Sequence, residues 1–106
     1  MEKTYAIAWS PGSERDMNCL DCHQPHFDER ALPRLKAGIF RRVELLGQFP
    51  EFGRELPRYG KQWRQLLYHP YRIIYFVEPS LQTVFISRIW HSSRAEPTEE
   101  DLTPLR

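Results

Sequence analysis

No apolar run in this 106-residue chain approaches the roughly 18 residues that a membrane-spanning helix needs. The opening stretch, MEKTYAIAWSPGSERD, lacks both the longer apolar region and the small-residue cleavage site of a signal peptide. A cytoplasmic, unprocessed protein with no membrane partner is therefore expected. Cysteine is confined to Cys19 and Cys22, which that compartment would keep reduced. There is no glycine-rich phosphate loop, and no Ser/His/Asp arrangement rises above chance. Lysine is scarce as well. Only Lys3, Lys36 and Lys61 occur, so the positive charge is mostly arginine, the residue suited to planar, bidentate contacts.

What is present fits one soluble domain, because 41% hydrophobic and 13% aromatic residues exclude a disordered or fibrous chain. The formal net charge of +1 conceals an asymmetry. Residues 54–94 hold seven cations (Arg54, Arg58, Lys61, Arg64, Arg72, Arg88 and Arg94) against Glu55 and Glu78, whereas residues 95–106 are net acidic. Such a basic region is either a solvated face or a docking site for a negatively charged surface, guarded in the second case by the acidic tail.

Three strand-like runs dominate the second half: Trp63–Tyr68, Tyr71–Val77 and Thr83–Trp90, separated by the turn signals His69-Pro70 and Glu78-Pro79-Ser80. Tyr71–Val77 is apolar on both faces, which predicts a central strand. Each run carries an arginine, Arg64, Arg72 or Arg88, where an apolar residue is expected. A guanidinium cannot shed its charge, so each must be paired or face a cavity or ligand. Arg72 in particular should be shielded, with a carboxylate, carbonyl or anion in reach. His91 and Arg94 follow the last strand. Four cations and an imidazole beside one small sheet suggest a surface for an acidic partner.

In the first half, Tyr5–Trp9 reads as a strand. Ser10-Pro11 reads as a helix cap with proline at the first helical position, and Glu14 and Asp16 support the positive helix end. Pro25 should end this helix by Gln24. A second helix is predicted from Asp28 to Gln48, with Leu32, Leu35, Ile39, Val43 and Leu46 on one buried face and Pro33 tolerable in its first turn. Residues 51–62 form an irregular connection. The predicted class is α+β: a small antiparallel sheet packed against an N-terminal helical hairpin, in the order β-α-α-β-β-β. Residues 1–94 make the domain, and the acidic tail 95–106 is expected to be partly disordered.

Cys19, Cys22, His23 and His26 fall at i, i+3, i+4 and i+7, a spacing that can gather zinc ligands on one helical side. Pro25 interrupts that side. The sequence C-L-D-C-H also matches the c-type haem attachment pattern, but haem attachment requires an export signal. No metal and no cofactor is expected. Trp9, Trp63 and Trp90 lie in or beside strands, which favours packing over a base-stacking platform.

The order of elements and the motifs W-S-P-x-x-x-x-D-M, E-L-L-x-x-F-P-x-x-G-R-x-x-P, W-R-Q-L-x-x-x-P-Y-R-I-I-Y-F-V and V-F-I-S-R-I-W-H-x-x-R together resemble the RelE/ParE toxin superfamily over residues 4–94. F-P-x-x-G-R-x-x-P and the terminal H-x-x-R are closest to the ParE branch. The resemblance implies a toxin made with a cognate antitoxin that wraps and neutralises it in a hetero-oligomer. ParE-type members poison DNA gyrase; RelE-type members cut messenger RNA in the ribosomal A site. For the cutting branch, Arg72 matches a phosphate-contacting strand arginine, and His91 and Arg94 fall near the C-terminal catalytic cluster.

Transesterification at a 2′-hydroxyl needs a base, a cation for the developing charge and an acid. Glu55, Arg72 and His91, with Arg64 beside them, would fill those roles if they converge. Against this, no tyrosine follows Tyr75, and a net +1 is poor for dense phosphate. The expected activity is therefore gyrase inhibition by binding, through Arg54, Arg58, Arg64, Arg72, Arg88, His91 and Arg94. A ribosome-dependent ribonuclease is the alternative.

Overall fold

The structure is a computed structural model that describes residues 4–22, 24 and 26–105. Five strands, β1 (Ala6–Trp9), β2 (Arg54–Glu55), β3 (Trp63–Tyr68), β4 (Tyr71–Glu78) and β5 (Thr83–His91), form one sheet in the order β1-β5-β4-β3-β2. The α+β class and the three long strands agree with the sequence reading. The sheet is mixed, however: β1 runs parallel to β5, and the other neighbours are antiparallel. The two-residue edge strand β2 was not expected. It lies inside the irregular connection, where Gly53 and Pro57 disrupt the alternation that marks a strand.

Helices α1 (Pro11–Met17) and α2 (Leu32–Gln48) cover one face of the sheet. Met17, Leu20, Ile39, Val43 and Leu46 pack there against Tyr71, Ile73, Tyr75, Val84, Ile86 and Ile89. α1 is shorter than predicted. It ends at Met17 instead of running to Gln24, and a turn follows in which Cys19 and Cys22 are joined as a disulfide, not held as free thiols. α2 starts after a 3-10 turn at Glu29–Ala31, which puts Pro33 in its first turn, where a missing N–H is harmless.

The motif W-S-P-x-x-x-x-D has a direct structural explanation. β1 pairs with β5 only as far as Trp9, opposite Ile86, and the rest of that β5 edge would be left open. The Ser10 N–H donates to the Ile86 carbonyl (3.0 Å), and the Ser10 hydroxyl donates to the Ser87 carbonyl (2.6 Å) while accepting the Ser13 N–H. Asp16 accepts the Ile89 N–H at 2.9 Å. One capping serine and one aspartate thus satisfy edge groups that would otherwise be orphaned. Asp16 was expected to favour the start of α1; it lies instead towards the end and serves the sheet.

The second face of the sheet has its own smaller core of Leu56, Trp63, Ile74, Trp90 and Leu102, flanked by Tyr59, Phe76 and Leu105. Leu102 belongs to a short helix, α3 (Glu99–Leu102), that begins with a capping box between Thr98 and Asp101. The acidic segment expected to be partly disordered is therefore docked on this face as far as Leu105. Ser87, which the register shift between Ile74 and Tyr75 leaves without a cross-strand partner, donates to the Leu102 carbonyl at 2.6 Å. Arg88 donates to the Asp101 carbonyl at 3.0 Å. These bonds satisfy carbonyls at the end of α3, and the burial of Leu102 supplies the apolar term.

Candidate functional site: an arginine-bearing sheet face

Cross-strand register decides which candidate residues can meet, because side chains alternate between faces and directly opposed residues share one. Arg72 lies opposite Leu67 and Trp90, on the face that carries the smaller core. Arg64 lies opposite Tyr75 and Glu55, on the helix side. His91 lies opposite Tyr71, also on the helix side, at the far end of the sheet from Arg64. Glu55, Arg72 and His91 are therefore not brought together as an acid–base set.

Each strand arginine has a different environment. Arg88 forms a fork–fork pair with Asp16 at 2.7 and 2.8 Å, with the two side chains 17% and 12% exposed, and its guanidinium lies 5.0 Å from the Trp90 ring centroid. The hydrogen bonds that Arg88 donates to Asp16 raise the Arg88 pKa against the effect of burial. Arg64 donates to the Gly53 carbonyl (2.7 Å), the Glu51 carbonyl (3.1 Å) and Glu55 (3.2 Å), tying the edge strand β2 to β3. Both arginines were candidate binding residues; both hold the fold together.

Arg72 is in the central strand and only 14% exposed, as its apolar neighbours led us to expect. Its Nε donates to Gln65 Oε1 at 2.6 Å, and its two terminal nitrogens donate to the two carboxylate oxygens of Glu96 at 2.9 Å each. Arg58, largely exposed and 5.4 Å from the Tyr59 ring centroid, brings a second guanidinium to 4.0 Å from Glu96 Oε1. Arg72 holds the Glu96 carboxyl below its usual range. Arg94 stacks on Trp90 at 3.7 Å, and Arg54 is exposed on β2. His91 packs edge-on to Tyr71, and its Nδ1 lies 2.7 Å from the Ser93 hydroxyl. The tryptophans pack: Trp9 meets Phe40, and Trp63 and Trp90 belong to the smaller core.

A second feature was missed by sequence reasoning. A groove of about 650 Å³ runs between α2 and β3, lined by Gly38, Arg41, Arg42, Glu44, Leu45, Gln48 and Tyr68. Arg42 lies 5.6 Å from the Tyr68 ring centroid and donates to the Leu67 carbonyl. Gly38 lets the Tyr68 ring lie against α2, since a Cβ at that position would run into the ring and hydroxyl and Tyr68 would have to shift. Arg41-Arg42 opposite an exposed leucine was the available signal, but it lay outside the basic stretch on which the charge count centred.

The zinc-like stripe cannot be followed throughout, because His23 and Pro25 lie outside the described residues. Cys19 and Cys22 are engaged with each other, and among the described residues no three His, Cys, Asp or Glu side chains gather as metal ligands. No helix among the described residues is long and apolar enough to cross a membrane.

The frame is thus a mixed five-stranded sheet with a helical hairpin on one face and Arg72 and Arg88 on the other. The family profile for the ParE toxin of the type II toxin–antitoxin system parDE matches residues 7–96, and the chain belongs to this family. Its fold is similar to that of a chain in the crystal structure of the toxin–antitoxin complex RelBE2 from Mycobacterium tuberculosis, with a TM-score of 0.62 and 20% sequence identity. That match covers 83% of this chain and 91% of the other. At that identity the likeness is one of fold. No curated protein sequence matches the chain.

Proposed function

We propose that this type II toxin acts in the cytoplasm by binding DNA gyrase, without bond-making chemistry of its own, and that a cognate antitoxin neutralises it in a hetero-oligomeric complex. The observation that carries this reading is the separation of Glu55, Arg72 and His91: two opposite sheet faces hold the groups that a ribonuclease would have to converge. The net charge of +1 points the same way, since a ribosome-dependent nuclease must engage dense phosphate. Exposed cations (Arg54, Arg58 and Lys61, with Arg41 and Arg42 beside the groove) suit a protein partner with acidic surfaces. An acidic antitoxin segment that lies over this region explains why the charge is concentrated there.

A supercoiling assay with purified gyrase tests the reading. Inhibition or trapped cleaved DNA is expected, together with uncut messenger RNA in a translation extract. Codon-phased cuts in the extract, abolished by Arg72→Ala or His91→Ala while gyrase stays active, would overturn it in favour of the ribonuclease.

A further inference from the structure

The chain has built an anion site and filled it from within. Two guanidinium groups, from Arg72 on the central strand and Arg58 on the turn after β2, converge on one carboxylate, and Gln65 fixes the Nε end of Arg72. We propose that Arg72, Arg58 and Gln65 form a receptor for a carboxylate on an acidic peptide segment of a partner protein, and that Glu96 keeps this receptor closed in the isolated toxin.

Glu96 can leave without unfolding anything. The segment on either side of it has anchors of its own, one of which, the Tyr59 hydroxyl, is shared with the Glu96 carboxylate. Trp90 Nε1 donates to the Ala95 carbonyl (3.1 Å), the Tyr59 hydroxyl donates to the Pro97 carbonyl (2.5 Å), and Leu102 is buried at 2% exposure. The Glu96 side chain itself is 39% exposed and has rotatable bonds enough to swing into water. That swing uncovers the Arg72 fork beside the exposed Arg58 while α3 stays docked.

A carboxylate is the occupant that the geometry already accepts, held by both terminal nitrogens of the fork. A polynucleotide fits less well. It carries a charge about every 3.4 Å per strand, and several phosphates would face the exposed Glu99 and Glu100 on the neighbouring helix. A short acidic peptide needs only one carboxylate at the fork. The closed state acts as a tax on affinity, because a ligand sees only the open fraction. An intramolecular carboxylate competes at an effective concentration in the millimolar range or above. If it holds the fork roughly nine-tenths of the time, removing it tightens binding about tenfold.

This inference rests on the toxin acting by binding, and not on gyrase being the target. The test titrates full-length toxin with a hexaglutamate peptide at low ionic strength, using the wild type, Glu96→Gln, and Glu96→Gln combined with Arg58→Ala or Arg72→Lys. Thermal melts confirm that each variant is folded. Arg58 is 64% exposed, so its replacement does not depend on Arg72 tolerating change. Glu96→Gln is expected to bind the peptide about tenfold more tightly, and either arginine replacement should remove most of that gain. Equal binding by wild type and Glu96→Gln, a gain that survives both arginine replacements, or preferential binding of an oligothymidylate would each overturn the proposal. A toxin that shows the exchange yet leaves gyrase active keeps the site and loses the target. One that inhibits gyrase without the exchange does the reverse.

Discussion

Replacing Asp16 tests the account of the W-S-P-x-x-x-x-D motif. Asp16→Ala removes both hydrogen bonds to Arg88 and the acceptor for the Ile89 N–H in one step. Breaking a buried ion pair by deleting one partner costs about 3–5 kcal/mol, chiefly because the other charge stays behind unpaired. Here the side chains keep some solvent contact, and Arg88 still reaches the Asp101 carbonyl and the Trp90 ring. The low end, about 3 kcal/mol, is the appropriate expectation. At roughly 4–8 °C per kcal/mol for a domain near this size, the midpoint should fall by roughly 12–24 °C. Urea and thermal unfolding would measure it. Arg30→Ala is the control, because its pair with Asp28 is exposed and screened by solvent, and the Asp28 cap on the backbone N–H of residue 30 is kept. A double-mutant cycle with Arg88→Met should recover much of the loss, since the stranded charge is then gone. A loss under about 1 kcal/mol for Asp16→Ala would refute the reasoning, because the pair would then behave like a surface contact.

Three further outcomes are expected. Glu96 and Asp101 both have pKa values held below their ordinary 4.5 and 3.8, the first mainly by Arg72 and the second by the Thr98 N–H. A depressed carboxylate pKa stabilises the fold above the ordinary value, and that contribution is lost as pH falls through the folded one. Thermal stability should therefore drop as pH falls below the ordinary carboxylate values of 4.5 and 3.8, and drop less in Glu96→Gln. Leu102→Ala empties a fully buried site in the smaller core and should cost about 2–4 kcal/mol in urea unfolding; a change under about 0.5 kcal/mol would mean that α3 is not docked there. Gly38→Ala forces Tyr68 out of the groove and should destabilise the chain by about 1–3 kcal/mol, although alanine is the better helix former; a rise in midpoint would show that Tyr68 moves freely.

Much of the fold was legible because period and punctuation agreed. The three long strands followed from apolar runs bounded by His69-Pro70 and Glu78-Pro79-Ser80, and α2 followed from the spacing of Leu32 through Leu46. What escaped was set by contacts distant in sequence. The parallel pairing of β1 depends on a partner some 77 residues away, with Ala6 opposite Thr83, and a four-residue strand carries no mark of its direction. α1 ends at Met17, and the turn that holds Cys19 and Cys22 follows it. The docked acidic segment read as tail because its composition is polar and proline-bearing; a single leucine, Leu102, buried in a cavity of aromatics, is too little pattern to detect from sequence.

The candidate site divides in the same way. That Arg64, Arg72 and Arg88 must each have a partner followed from charge in an apolar strand, and each does. Which partner each has did not follow, and the partner determines the role. Asp16 lies on α1 and is mostly buried, and Arg64 is held by the Gly53 and Glu51 backbone carbonyls as well as by the exposed Glu55, so neither Arg88 nor Arg64 loses its partners without disturbing the fold. Glu96 comes from a connection between two anchored points and can turn away alone. Arg72 is therefore the strand arginine whose partner is exchangeable at low cost to the fold, and the one where a partner's carboxylate has a place to go. Substitutions at Arg64 and Arg88 should accordingly be read out first in stability and those at Glu96 first in binding. A Glu96→Gln variant that loses as much stability as Asp16→Ala would erase that distinction.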